Sequence, residues 1–401
     1  MSGFFLHRSN RMERLAERLA AQLPLSQPAD PITPWTVVVG SRGMERWLRH
    51  ELADRHTVCA NVEFLFPGQL VDRLGGARLP DDEAGKAAWE VEALRWAVAR
   101  LLPELLGQPA FDPVGRYLRA ARGQTASGGA SGRDLALTGE IAELLDHYLH
   151  YRRDWIEAWL TGTQPPELAS SGHAAWQLLL LQRLVAELGG EGHFVARMAR
   201  LERLLQEGAL PGSWPTTVHL FGVSSLPPPF VDLLGVLSSQ IRVELYLFCP
   251  SDRYWGDLRT RVQASAGLRR TRRDEGLAKL LEDLAQQSPL LTTLGRVSRD
   301  MQIVLEEPER VRREQELPYQ EPGASLFVDP AEVPGTLLQQ LQSDLLHLRS
   351  AAEVGQRCAA GEYVPGPGDT SLLIHSCHGP LRQVDRKSVV EGKSVDLGGR
   401  R

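Results

Sequence analysis

Two short constellations near the start and end of this sequence carry the residue types of nucleotide chemistry. The first is the turn His7-Arg8-Ser9-Asn10-Arg11, set between an apolar run and an amphipathic helix. That layout suits a phosphate-cradling loop. Such a loop needs glycines for close backbone approach, a lysine for the β/γ-phosphates and a hydroxyl for Mg2+. The turn has neither glycine nor lysine. A Gly-Lys-Ser stands at Gly392-Lys393-Ser394, but Lys387 occupies the place of the first glycine and no sheet context surrounds it. A motor would also end a strand in acids that hold Mg2+. The strands here end in Ser224-Ser225 and Cys249-Pro250, and Asp252 and Asp257 beyond them read as turn or cap residues. These patterns argue against ATP hydrolysis by this chain.

Metal and nucleophile readings meet similar obstacles. His147 and His150 are three apart with Asp146 adjacent, yet a zinc site needs a closed ligand set and no further ligands are near. His375, Cys377 and His378 contain a thiol and two imidazoles, but near-adjacent residues on a turn seldom reach a productive pair geometry.

The nucleic-acid signals are stronger. Arg42 and Arg46 flank a turn at the C-terminal edge of an expected strand, where open α/β sheets bind ligands. Tyr148, Tyr151, Arg152, Arg153 and Trp155 combine planar rings with guanidinium groups, which suits stacking on bases and holding phosphates. The same run also suits a helix that packs its aromatics into a core. LRRTRRDEG, 268–276, reads as a solvated basic loop.

The elements that must position these residues follow from periodicity. Phe4–Leu6, Trp35–Val39 and Ala60–Phe64 are apolar or β-branched runs, each leading into a helical pattern. Successive βα units predict a mainly parallel, doubly wound sheet. Strands resume at Thr217–Phe221 and Ile241–Phe248, with the helical GVSSLPPPFVDLLGVL between them. From 81 to 206 the chain reads as helices, including EAGKAAWEVEALRWAVARLLPELL and LTGEIAELLDHYLHYRRDWIEAWL, so a large helical insertion interrupts the sheet. GQTASGGASG inside it is flexible by composition. LLQQLQSDLLHL, a Pro/Gly linker and SLLIHSCHGPLRQV follow, the last opening another strand–turn–helix.

The 401 residues allow two or three domains. With 42% hydrophobic and 24% charged residues, the composition is that of a soluble globular protein. No apolar run reaches the roughly 20 residues needed to span a bilayer, and without a long apolar core and small-residue cleavage site near the start, no secretory signal is expected. Four scattered cysteines fit a reducing cytoplasm. The net charge of −5 means that any nucleic-acid contact is local or made within an assembly.

HRSNRMERL, VVVGSRGMERWL, ANVEFLFP, LLDHYLHYRRDWIEAW, FGVSSLPPPFVDLL, LYLFCPSDRYWGDL, SPLLTTLGRVSRDM, LLQQLQSDLLHL and IHSCHGPLRQV, in that order, resemble the RecC family, the gamma subunits of exodeoxyribonuclease V. The resemblance runs from about residue 4 to Val384 and corresponds to the first third of a family member. It implies a degenerate RecA-like, superfamily 1 helicase-like α/β domain whose nucleotide chemistry has decayed. It implies a non-catalytic subunit that binds double-stranded ends and single strands beside RecB and RecD, with ATP and Mg2+ on those partners, and scans for Chi during recombinational repair. Family positions implicated in scanning match Leu144, Asp146 and Arg152. Gly40, Arg42 and Arg46 stand where well-known members carry uncharged polar groups, which implies altered or absent Chi specificity. The candidate DNA-binding set is therefore Arg42, Arg46, Leu144, Asp146, Tyr148, Tyr151 and Arg152, with no catalytic, cofactor or metal residue.

The expected organisation is 1–80 as the first part of the helicase-like domain, 81–206 as the insertion, and 207–364 as the remainder with a helical extension. Residues 365–384 would begin a second such domain, and 385–401 resemble a translated sequencing adapter. That tail holds five basic and three acidic residues, so without its +2 the chain stands at −7. Two other readings stay open. One is an active AddB-like helicase–nuclease subunit, which would need a usable phosphate loop or an iron–sulfur cysteine cluster. The other is a helical scaffold for protein interaction.

Overall fold

The computed structural model describes residues 2–23, 33–78, 83–122, 132–208, 210, 214–256, 288–306, 319–320, 325–332, 336–362, 366, 368–373 and 376. The basic stretch 268–276, the histidines and cysteine at 375–378, and the tail lie outside them. Most described residues belong to a unit spanning 1–259 and 291–328; a second comprises 260–290 and 329–401.

In the first unit, β1 (Gly3–Ser9), β2 (Trp35–Val39), β3 (Val62–Leu65), β4 (Thr217–Phe221), β5 (Arg242–Phe248) and the two-residue β6 (Tyr319–Gln320) form one sheet. Its order is β3-β2-β4-β5-β1-β6, and every pairing is parallel. Strands covered on both faces need no polar alternation, which is why WTVVV reads as a continuous apolar run.

α1 (Met12–Gln22), α2 (Arg42–His56) and α3 (Pro67–Arg78) follow the first three strands. α4 (Glu83–Ala88), α5 (Val91–Leu105), α6 (Asp112–Arg122), α7 (Gly132–Tyr151), α8 (Arg153–Leu160) and α9 (Ala174–Leu188) make the helical insertion. α10 (Phe194–Glu207) returns the chain to β4, and α11 (Pro228–Leu237) joins β4 to β5. α12 (Pro289–Thr293) and α13 (Arg296–Glu306) come after β5.

The steps β1→β2→β3 run one way across the sheet, and the later steps run back. Right-handed crossovers therefore place α1 and α2 on one face and the later helices on the other. The buried residues agree. Leu15, Leu19, Leu48 and Leu52 pack with Val37, Val39, Phe221 and Tyr246. Leu70, Met198, Leu201, Phe230 and Met301 pack with Phe4, Val38, Leu220 and Leu245. The insertion has its own core, including Trp89, Leu94, Phe111, Leu145, Trp159, Trp176 and Leu180. α10 is shared: Val195 lies in the insertion's core, whereas Met198, Leu201 and Leu205 lie against the sheet.

In the second unit, α14 (Leu337–Leu346) and α15 (Ala351–Ala359) each begin with a capping box, Thr336 with Gln339 and Ser350 with Glu353. Each box satisfies two otherwise orphaned backbone donors. Buried Asp344 accepts from both Arg349 and Arg357 at 2.7 Å.

The sheet with a helical insertion is the fold the sequence implied. Three details differ. The first strand extends to Ser9, because β1 stays in register with β5 through Ser9 and Phe248. His7, Arg8 and Ser9 are thus strand residues, and only Asn10 and Arg11 form the turn. The long Tyr-rich helical pattern is two helices, broken at Arg152, whose φ of −129° and ψ of 57° leave the α region. The pair β6 and the helix α15 carried too little apolar periodicity to be foreseen. Among the described residues, no helix is long and apolar enough to cross a membrane.

Candidate nucleic-acid interface

The C-terminal edge of the sheet is where ligands of open α/β folds bind, at points where successive crossovers diverge to opposite faces. Two such points matter here, β1/β5 and β2/β4. The first is closed. Ser9 Oγ donates to the Leu326 carbonyl at 2.7 Å, and Asn10 Nδ2 donates to the Val328 carbonyl at 2.8 Å. Val328 N–H returns a bond to Asn10 Oδ1 at 3.0 Å, and Cys249 N–H donates to the Ser9 carbonyl at 2.9 Å. Leu326 and Phe327 anchor this plug in the cores on opposite faces of the sheet. The Ser9 and Asn10 side chains are thus committed to the 326–328 backbone, and the turn has neither the glycines nor the lysine of a phosphate loop.

Behind the turn lies a polar layer on the α1/α2 side of the sheet. His7 Nε2 meets Glu244 Oε2 at 2.5 Å, both groups being buried, and Arg242 also bonds Glu244. The His7 ring stacks on Tyr246 at 4.7 Å. Tyr246 O–H donates to Gln22 Oε1 at 2.9 Å and lies 3.3 Å from His219 Nδ1. Burial pushes the Glu244 carboxyl upward, but the bonds from His7 and Arg242 outweigh it and hold it below the usual glutamate value. Burial lowers His219 to about 4, and among the described residues its Nε2 has no hydrogen-bond partner. Sequence reasoning missed this layer. Its trace was the presence of His7, His219 and Glu244 inside otherwise apolar strands, whose registers set His219 level with Glu244 and His7 level with Tyr246, two residues further on.

The β2/β4 point is open. Ser41 caps α2 by accepting from Met44 N–H at 3.1 Å, leaving Arg42 and Arg46 exposed on the first turns. Among the described residues neither forms an ion pair. One turn on, Arg49 differs: it pairs with Glu45 at 3.0 Å and lies over the Phe64 ring at 4.5 Å. The N-terminal end of a helix carries partial positive charge, so guanidinium groups there repel the helix and favour an anion between them. The turn's partner across the sheet is Gly222, at φ 61°, where any Cβ would come within 2.9 Å of Met44.

The loop after β4 continues from this point to the break between α7 and α8. Ser225 and Leu226 form one side of a cleft of about 540 Å3, facing Tyr151, Arg152 and Asp154, with Asp300 and Val304 of α13 closing it. The β4 loop therefore borders both groups of residues that the sequence singled out. The individual side chains are placed differently. Tyr151 is 48% exposed, and the Arg152 guanidinium lies 3.8 Å over the Trp155 ring while bonding Asp154 at 3.1 Å. Tyr148 is half-buried edge-on to Trp155 and Trp159, at 5.2 and 5.7 Å, so its ring is largely core packing. Leu144 is exposed one helical turn away on the same face. Asp146 faces His150 at 3.4 Å, and His150 stacks on Phe194 at 4.2 Å, away from the cleft. With carboxylates opposing its arginines, the cleft suits base edges and ring faces more than phosphates.

The comparisons with known proteins agree on one family. The family model described as RecC, N-terminal domain, matches residues 4–348. RecBCD enzyme subunit RecC of Haemophilus influenzae is 26% identical over 95% of this chain and 36% of its own length. The Escherichia coli protein of the same name is 28% identical over 95% and 34%. That of Mycolicibacterium smegmatis is 31% identical over 95% and 30%. The chain spans about a third of the length of the curated relatives it matches. On the extent of the match, together with the parallel sheet and its helical insertion, this chain belongs to the RecC family.

Proposed function

We propose that this chain is the strand-guiding part of a RecBCD-type helicase–nuclease, without catalysis of its own, acting in the cytoplasm in double-strand-break repair. RecB and RecD would be its partners and would carry ATP and Mg2+. A single strand would run along the sheet's C-terminal edge, its phosphates held by Arg42 and Arg46. Its bases would pass the cleft at Tyr151 and Arg152, with Leu144, Tyr148 and Asp146 shaping the adjoining helix. Arginines in the first set could read guanine edges, so a scanned signal would differ from that of relatives with neutral groups there. The observation that supports this reading most is the β4 loop, whose Gly222 lies against Met44 of α2 and whose Ser225 and Leu226 border the cleft at Tyr151 and Arg152.

The plug at β1/β5 supports the non-motor part of the reading, against an active AddB-like subunit. The test is binding of a fluorescein-labelled 20-mer of thymidines to the purified chain, followed by anisotropy across a salt series. Changing both Arg42 and Arg46 to alanine should weaken binding and lower the salt slope by about 1.4, on roughly 0.7 per single-strand phosphate contact. An unaltered slope would leave a protein-interaction scaffold as the better reading.

A further inference from the structure

The chain changes direction sharply at Arg152, and the next residue explains how that corner is held. Arg153 is largely buried, its side chain 15% exposed. Its Nε donates to Glu157 at 2.7 Å, on its own helix α8. The guanidinium also donates to both oxygens of Glu202 on α10, at 3.1 and 3.3 Å, and approaches Asp232 on α11 at 3.9 Å. One planar cation thus ties the first turn of α8 to two helices that pack on the sheet. The corner itself is closed by the Arg152 carbonyl, which accepts from Trp155 and Ile156 N–H groups. The cleft beside the β4 loop is lined by Tyr151, Arg152, Arg153 and Asp232, whereas Glu157 and Glu202 lie outside its lining.

We propose that Arg153 is a positioning residue: by joining Glu157, Glu202 and Asp232 it fixes the corner that presents Tyr151 and Arg152 to a nucleic-acid strand. This rests on the strand-guiding reading above. Lysine cannot substitute, because the forked guanidinium reaches several carboxylates at once and an ammonium does not. Glu202 does not line the cleft, so its effect on a bound strand would come through Arg153.

That separation supplies a test with opposite signs. Removing a carboxylate near a polyanion site should, by charge alone, strengthen binding. Positioning requires the reverse. Glu202→Gln should weaken binding of the labelled thymidine 20-mer about threefold, the difference between a charged and a neutral hydrogen bond. Circular dichroism should show the fold retained. Arg152→Ala should weaken binding as well, and the double variant should be no worse than Arg152→Ala alone. If Arg152→Ala has no effect, the strand-guiding reading fails. If Arg152→Ala weakens binding while Glu202→Gln strengthens it, leaves it unchanged or adds independently, the positioning role is overturned. Should Glu202→Gln not fold, Glu157→Gln, also outside the cleft's lining, gives the same comparison: weaker binding supports the role, and stronger or unaltered binding overturns it.

Discussion

Asn10 and Val328 hold one another by two hydrogen bonds, side-chain amide to backbone carbonyl at 2.8 Å and backbone N–H to side-chain oxygen at 3.0 Å, across 318 positions of sequence. The segment beginning at Ser325 is thereby tied to the turn after β1, at a sheet edge where open α/β folds bind ligands. In this chain that place is filled by its own backbone.

Replacing Asn10 with alanine removes both bonds and leaves the Val328 N–H and carbonyl in need of solvent. A loss of about 1–3 kcal/mol is expected for partners left unsatisfied. Hydrogen exchange at Val328 should accelerate, with smaller changes in β2. Exchange at Val328 indistinguishable from the parent would show that the plug is not held by this pair.

His219 and His193 make stability sensitive to mild acid. Burial lowers each to about 4 in the fold, against an ordinary value near 6.5. Both are therefore neutral in the folded chain where the unfolded chain already binds protons. Their contribution is complete above about pH 6.5 and is lost as pH falls towards 4. Urea midpoints should decline through that window. His219→Phe, which retains a ring without a titrating group, should make the decline shallower. Parallel curves for variant and parent would contradict the assignment.

Gly222 adopts φ 61° at the end of β4 with Met44 against its α-hydrogen side. Gly222→Ala faces both a strained backbone and a contact of 2.9 Å, and should cost about 1–3 kcal/mol. Because the same loop borders the cleft, binding of single strands should weaken as well. Melting and anisotropy measured on the same preparation will show whether the two losses go together.

Glu244→Gln keeps the shape of the side chain but takes the charge from between His7 and Arg242. Breaking a buried pair by neutralising one partner costs on the order of 3 kcal/mol. The fall should be evident in urea unfolding at pH 7; a midpoint equal to the parent's would mean that the layer contributes nothing through charge.

How far the sequence foretold these sites depended on whether the signal was local. Trp35–Val39 and Thr217–Phe221 were legible to the residue, since a buried parallel strand is a bounded β-branched and aromatic run. The helical insertion was legible from its 3.6-residue period. The polar layer was not, because His7, His219 and Glu244 meet only through strand register, and register between distant strands leaves no mark on spacing. The corner at Arg152 was hidden for a similar reason: the next residue, Arg153, pairs with Glu202 and Asp232, which lie 49 or more positions away. Tyr148 and Tyr151 looked alike in sequence, and only packing on Trp159 separates the core ring from the exposed one.

α10 begins in one apolar interior and ends in the other. Neither interior can loosen without pulling that rod from the second. Heating this unit should accordingly melt the sheet and the inserted helices in a single step, and a force applied to either would be felt at once by its neighbour.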